Sequence, residues 1–190
     1  MCKVSVDGTD FRVETPSGLG RKFYSHKFKK NGLRYEVAIS IQAGDIVWIN
    51  GPFPCGEWPD IKIFRKDLLK MIPFGEAVEA DNGYRGEPYA VRLPNETGGS
   101  KVHEKKKNEV RSRHESCNKR FKEWDILNQV FRHDLEESHK NVFLAIAALL
   151  QINIRKGHPL WQVRDYRTIL TIMEEENMKM WKEKLKSKNN

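Results

Sequence analysis

Residues 4–13, VSVDGTDFRV, determine how the first half of the chain is interpreted. Apolar and polar residues alternate up to Asp7, which is typical of a half-buried β-strand. The pair Asp7-Gly8 is also a strong turn signal, because glycine accepts a positive φ and the aspartate side chain bonds to nearby backbone. Alternatively, the strand presents the Asp7 carboxylate to a reaction centre. We predict both: Gly8 turns the chain, and the turn holds Asp7 at the end of the first strand.

The following segments predict two further strands. Residues 22–41 contain two β-rich runs separated by Asn31-Gly32, and another β-rich segment, 45–51, follows Gly44. Three consecutive antiparallel strands are the simplest arrangement of these runs.

A helix is predicted after the proline- and glycine-rich loop at residues 51–60. Asp60 stands where the N-cap of this helix is expected. The apolar positions behind it recur at helical spacing. They are Ile61, Phe64, Leu68 and Ile72.

A second aspartate follows a short strand in the same way as the first. Residues 77–80 form a run that leads directly to Asp81, and Asn82-Gly83 then predicts a turn. Glu79 lies in the same run, and we expect it on the face of the strand opposite to Asp81. Two carboxylates are thus predicted at the ends of two strands.

The second half of the chain predicts three helices. The first is long and charged, from about residue 104 to about residue 131; the second is apolar, over 140–155; the third is amphipathic, from about 163 to about 185. The long helix carries a mostly apolar stripe of Val110, His114, Cys117, Phe121, Trp124, Asn128 and Phe131. Glu115 lies at the margin of this buried face, with Arg111 and Asn118 on the same stripe as itself.

The composition favours one intracellular domain. With 190 residues, of which 38% are apolar, the chain can bury a single core. We assign that domain to residues 1–155 and a C-terminal helical extension to residues 156–190. The longest apolar run, 142–150, is too short to span a membrane, and no secretory signal precedes the first strand. Three scattered cysteines predict neither a disulfide framework nor a zinc site.

The net charge of +8 is concentrated in the second half of the chain. Residues 1–100 hold 14 basic and 13 acidic side chains, whereas residues 101–190 hold 20 and 13. Such an excess suggests a polyanionic partner, although a merely solvated helix face has the same composition. The candidate DNA-binding groups are Lys105, Lys106, Lys107, Arg111, Arg113, Lys119, Arg120 and Lys122. Trp48 and Trp58 could stack on an extruded base, but a core role is the simpler interpretation.

Four segments together resemble a known family. They are VSVDGTDFRV, AGDIVWINGPFPCGEWPDIKIF, GEAVEADNGYRG and RSRHESCNKRFKEW, in that order along the chain. They are similar to the DDE-type transposase domain of the Harbinger and insertion-sequence-derived group, within the RNase H-like superfamily. The resemblance implies an α/β fold with a mixed five-stranded sheet and flanking helices. It also implies that Asp7, Asp81 and Glu115 are catalytic and bind metal, with Asp60 and Asn118 as supporting residues around them.

The activity implied by this resemblance is cleavage and transfer of DNA strands at transposon ends. Two Mg²⁺ or Mn²⁺ ions about 3.5–4 Å apart would stabilise the attacking and leaving oxygens of an in-line displacement at phosphorus. Acidic oxygen ligands suit such hard cations. Asp7 would bridge both ions, and Asp81 and Glu115 would each hold one. Water would be the nucleophile for end cleavage and a freed DNA 3′-hydroxyl the nucleophile for insertion.

Several acids compete with these three. Asp10 is close to Asp7 in sequence, and Glu104, Glu109 and Glu123 lie on the same predicted helix as Glu115. Only Glu115 has the family-like Arg111 and Asn118 beside it.

The pattern also departs from the family, and the departures keep a second function open. The loop before the first helix lacks the family's histidine, and Ala80 replaces a common glycine. The chain begins almost on its first predicted strand, so we expect that it lacks an N-terminal DNA-binding segment and depends on a separate Myb-like protein. The alternative to a nuclease is a domesticated, inactive DNA-binding module, and the third possibility is an unrelated α/β protein. We also expect a homo-oligomer and no association with a membrane. The expected location is the nucleus if the source is a eukaryote, and the cytoplasm otherwise.

Overall fold

The computed structural model describes residues 2–15, 18, 20–94, 101–135 and 137–163, together with residues 168, 175 and 178. The strands are β1 (Cys2–Arg12), β2 (Tyr24–Ser25), β3 (Lys30–Ser40), β4 (Ile46–Pro54), β5 (Ala77–Glu79) and β6 (Val91–Arg92). The helices are α1 (Gly20–Phe23), α2 (Asp60–Lys66), α3 (Leu68–Met71), α4 (Lys101–Lys122), α5 (Asp125–Asn128) and α6 (Glu137–Lys156), and a 3₁₀ turn covers Asn82–Tyr84.

The strands form one mixed sheet of six strands. β1 pairs antiparallel with β3, and β3 pairs antiparallel with β4 and with the short β2. On its other side β1 pairs parallel with β5, which in turn pairs parallel with β6. This mixed α/β architecture with flanking helices is consistent with an RNase H-like fold and confirms the predicted fold class. The predicted three-stranded antiparallel unit is β1, β3 and β4, and β2 adds a sixth strand to the five expected.

Both faces of the sheet are covered by helices. One apolar cluster joins Phe11 and Tyr35 of the sheet to Phe121 of α4 and Phe143 of α6. The other joins Val6 and Ala38 to Phe64 of α2 and to residues around the 3₁₀ turn. Successive strand residues point to opposite faces, so β1 supplies both clusters alternately. A side chain on β1 therefore lies under either α4 or α2.

The structure corrects the predicted turn at Asp7-Gly8. β1 continues through this pair, with Asp7 opposite Val37 and Gly8 opposite Glu36. The strand continues because β3 supplies pairing partners along its whole length. The separation at Asn31-Gly32 is likewise wrong, since both residues lie inside β3.

The helical predictions need shorter boundaries. The helix predicted behind Asp60 is two helices, α2 and α3, interrupted at Asp67, whose φ is −132°. Pro59 occupies the N-cap position of α2, and Asp60 is its first residue. The long charged helix ends at Lys122 instead of continuing to Phe131. α6 agrees with the predicted apolar helix, whereas the amphipathic segment 163–185 lies almost entirely outside the described residues.

Among the described residues, we find no helix with the length and apolar character that crossing a membrane requires.

Candidate active site

Asp7 lies in the middle of β1, half-buried beneath α4. Its Oδ2 accepts a hydrogen bond of 2.9 Å from the Asn118 amide of α4, and its Oδ1 accepts one of 2.8 Å from the Gly8 backbone. Burial raises the pKa of Asp7 to about 6, and the charges of Asp81 and Asp60 raise it as well, while Lys27 opposes them. The Asn118 amide therefore orients the Asp7 carboxylate; its supporting role in a metal site stays a prediction.

Asp81 is brought beside Asp7 by the parallel pairing of their strands. Ser5 of β1 pairs with Glu79 of β5, and each aspartate follows its member of that pair by two residues. The ladder ends at that pair, and both aspartates, two residues further along, line one cavity, where the charge of Asp81 raises the pKa of Asp7. The Asp81 carboxylate also accepts a 2.8 Å hydrogen bond from the Gly83 amide, so Asp81 caps the N-terminus of the 3₁₀ turn.

A cavity of about 390 Å³ opens where these two strands meet α4. Asp7, Asp81 and Glu115 all line it, so the structure brings the three predicted acids to one cavity. Glu115 is exposed at its α4 side. Glu79 lines the cavity as well, so its expected position on the face opposite to Asp81 is wrong: residues two apart along a strand point to the same face.

Asp60 approaches the same acids from the other face of the sheet. A side chain at Gly8 would clash with the Asp60 carboxylate, and a Cβ at Gly83 would lie 2.7 Å from Asp60 Oδ2 and 2.9 Å from Asp81 Oδ1. Both glycines are therefore needed for the close approach of Asp60. Its Oδ1 is buried without a hydrogen bond, 3.3 Å from the Arg34 guanidinium. Burial raises the pKa of Asp60, against the opposing charge of Arg34.

The eight predicted basic residues separate into three groups: four line the cavity, two lie on α4 outside its lining, and two have packing roles. Lys107, Arg111, Lys119 and Lys122 line the cavity around the acids. Lys105 and Lys106 lie on the same helix, half-buried and outside the cavity lining.

Two predicted basic residues serve packing instead. Arg113 is only 1% exposed and donates a 2.8 Å hydrogen bond to the Ser40 carbonyl, so it is not available to a phosphate. Arg120 donates to the carbonyls of His158 and Pro159 and fixes the chain after α6. The sequence pattern did not distinguish these two arginines from their basic neighbours, because the sequence of a helix does not show which of its charged side chains other elements will bury.

The two tryptophans also have packing roles. Trp48 donates a 3.0 Å hydrogen bond to the buried Glu36, and Trp58 packs on the Phe53 ring at a centroid distance of 4.8 Å. Both contacts agree with the simpler of the two interpretations of these residues.

Sequence reasoning missed two features of the site. Lys27, in the turn between β2 and β3, lines the cavity although it lies far from the acids in sequence. His114 lies in the cavity wall; its Nε2 donates to the Ser5 carbonyl at 3.1 Å, and burial lowers its pKa to about 4. No sequence signal identifies Lys27, whereas His114 was recognisable only as a member of the buried stripe.

The donor chemistry of the cavity fits a divalent cation. Within the described ranges, no three histidine, cysteine, aspartate or glutamate side chains are close enough to hold a metal ion by themselves. Mg²⁺ is, however, usually held by one or two carboxylates together with water and substrate phosphate. Asp7 and Asp81 fit that mode, with Glu115 at the open side of the cavity.

Comparison with known proteins identifies a family for this chain. No curated protein and no solved structure matches the chain. Residues 6–151, well over half of the sequence, match the family described as DDE superfamily endonuclease. This match confirms the resemblance carried by the four sequence segments. The chain therefore belongs to the DDE superfamily endonucleases.

Proposed function

We propose that the chain is a divalent-metal-dependent DNA endonuclease and strand transferase that acts on phosphodiester bonds at transposon ends. The observation that supports this most is that Asp7 and Asp81, each two residues beyond the last pair of the β1–β5 ladder, line one cavity whose rim is basic. Glu115 is the proposed third acid. DNA is the proposed substrate, because the family acts as an endonuclease and the rim carries lysines and an arginine.

The residues around the cavity have distinct proposed roles. Asp7 and Asp81 would hold Mg²⁺ or Mn²⁺ as the principal protein ligands, and Glu115 would complete the set on the DNA side. A bound divalent ion would supply Lewis-acid polarisation of a phosphoryl oxygen. Asn118 would keep the Asp7 carboxylate in a fixed orientation, and the basic groups of α4 would bind backbone phosphates without reading bases.

A binding module without turnover is the second candidate function. The observation that favours it is the exposed position of Glu115, together with the lack of a ready three-ligand group among the described residues. This candidate predicts salt-sensitive DNA binding that survives Asp81→Ala, and no cleavage with any divalent metal.

Nicking of supercoiled DNA tests the first candidate against the second. We expect cleavage by the wild-type chain with Mg²⁺ or Mn²⁺ and none with a chelator. Asp7→Ala should lower the rate about a thousandfold or more, since several kcal/mol of transition-state stabilisation is lost. Asp125→Ala, which removes an exposed acid of α5, is the matched control and should cleave normally. Equal nicking by wild type and Asp7→Ala would show that the assigned centre is wrong.

A further inference from the structure

Lys27 reaches the cavity from a part of the chain that carries none of the predicted site residues. It lies in the short turn between β2 and β3, and its side chain lines the same cavity as Asp7 and Lys122. Lys122 comes from the last turn of α4. Two lysines from different elements thus face one cavity that also contains the paired acids.

The turn that carries Lys27 is firmly anchored. The Lys27 amide donates to the Ser25 hydroxyl at 3.2 Å, and that hydroxyl donates to Asp10 at 2.7 Å. Asp10 is itself held by two hydrogen bonds from Arg34, of 2.7 and 2.9 Å. A buried network therefore fixes the backbone from which Lys27 extends.

Within the part of the chain that the structure describes, neither Lys27 nor Lys122 forms a salt bridge, although the charges of Asp10 and Asp7 attract both ammonium groups. They repel each other: burial lowers the pKa of Lys122, and the charge of Lys27 lowers it further. Two like charges facing one cavity are relieved by an anion between them.

We propose that Lys27 and Lys122 together bind one DNA backbone phosphate and position it beside Asp7. This inference rests on the proposed function for its substrate. Lys122 is half-buried, with its ammonium 5.8 Å from the centre of the Phe11 ring, so its position is restricted. Lys27 is exposed and supplies the second contact, from a different element of the fold. Lys27 is a positioning residue in this arrangement, because it orients the phosphate and does not bind the metal.

The test is the salt dependence of DNA binding, measured by fluorescence anisotropy with a short labelled duplex and a chelator present. Each phosphate contact contributes about 0.9 to the slope of log affinity against log salt concentration. Because Lys122 still contacts the same phosphate, Lys27→Ala should lower the slope measurably, by no more than about one unit. Lys30→Ala is the matched control. Lys30 begins β3 just after the same turn, and it lines a different surface pocket, together with Arg12 and Tyr24. Its slope should equal that of the wild type.

Rates at saturating DNA provide the second readout. If Lys27 positions the phosphate, Lys27→Ala should cleave roughly 10- to 100-fold more slowly even when DNA is saturating, and Lys27→Arg should recover most of that rate. A wild-type slope for Lys27→Ala, or an equal loss for Lys30→Ala, would overturn the inference. A wild-type chain that shows the predicted slopes but never cleaves would contradict the nuclease function and still support this phosphate site.

Discussion

Asp7 and Asp10 lie three residues apart in β1 and point to opposite faces of the sheet. Asp10 is 2% exposed, lies opposite Arg34 in the register of β1 and β3, and receives hydrogen bonds from Arg34 and Ser25. Asp7 is bonded to an amide side chain and a backbone amide, with no arginine or lysine in salt-bridge contact among the described residues. One carboxylate is neutralised inside the protein, and the other is left with its charge facing a cavity.

The pKa values express the same difference. Burial opposes ionisation of both acids, but the hydrogen bonds and charge of Arg34 lower the pKa of Asp10, whereas the pKa of Asp7 is raised to about 6. A buried acid that no basic side chain of the protein neutralises is a good candidate to bind a cation. Asp10 is accordingly a structural acid, and Asp7 is the candidate ligand.

Glu36 shows that a buried acid without a cation partner is not always a candidate ligand. It is fully buried and, like Asp7, has no cation partner among the described residues; it accepts a 3.0 Å hydrogen bond from Trp48. Burial raises its pKa to about 8, so it remains protonated near neutrality. Glu36 does not line the cavity of Asp7 and Asp81. A missing cation partner therefore indicates a ligand only where the acid also faces a cavity.

The largest expected effect comes from breaking the Asp10 pair. Arg34→Met leaves a buried carboxylate without its partner, which should lower the free energy of unfolding by about 3–5 kcal/mol. Chemical denaturation near neutral pH measures this loss. Arg132→Met is the control, because Arg132 and Glu14 form an exposed salt bridge of 3.2 Å that should be worth at most about 1 kcal/mol. Similar losses in both variants would remove the distinction between the structural and the candidate catalytic acid.

A smaller effect is expected for Glu36→Gln, and it should depend on pH. The pKa of Glu36 is raised from 4.5 to about 8 in the folded state, so the folded protein retains a proton that the unfolded chain loses. Wild-type stability should therefore fall as the pH rises from 4.5 to about 8. Glutamine removes this dependence, and the variant should gain roughly 2–4 kcal/mol over the wild type across that range.

Unfolding curves at several pH values measure the difference. Glu14→Gln, at an exposed position, should follow the wild type throughout. A constant difference between Glu36→Gln and the wild type would contradict the assignment of Glu36 as a protonated core residue.

The sequence predicted the fold class, the strand β1 that contains Asp7 and the strand β5 that leads to Asp81, because the alternation of apolar and polar residues is a local signal. It failed at Gly8, where the same dipeptide that starts a turn elsewhere lies inside a strand. The reason is tertiary: Gly8 leaves room for the Asp60 carboxylate, which comes from a helix on the other face. Arg113 and Lys27 could not be classified from the sequence for the same reason. The burial of Arg113 and the position of Lys27 at the cavity both depend on how separate elements pack.

The central claim is that Asp7 and Asp81 form one metal-binding centre for DNA cleavage. Anomalous diffraction from crystals of the chain grown with Mn²⁺ and a short DNA duplex tests it most directly. We expect an anomalous peak in contact with both carboxylates, at a metal–oxygen distance of about 2.1 Å as for Mg²⁺. A complex with DNA bound and no peak at these two residues, or a peak at other acids instead, would contradict the claim.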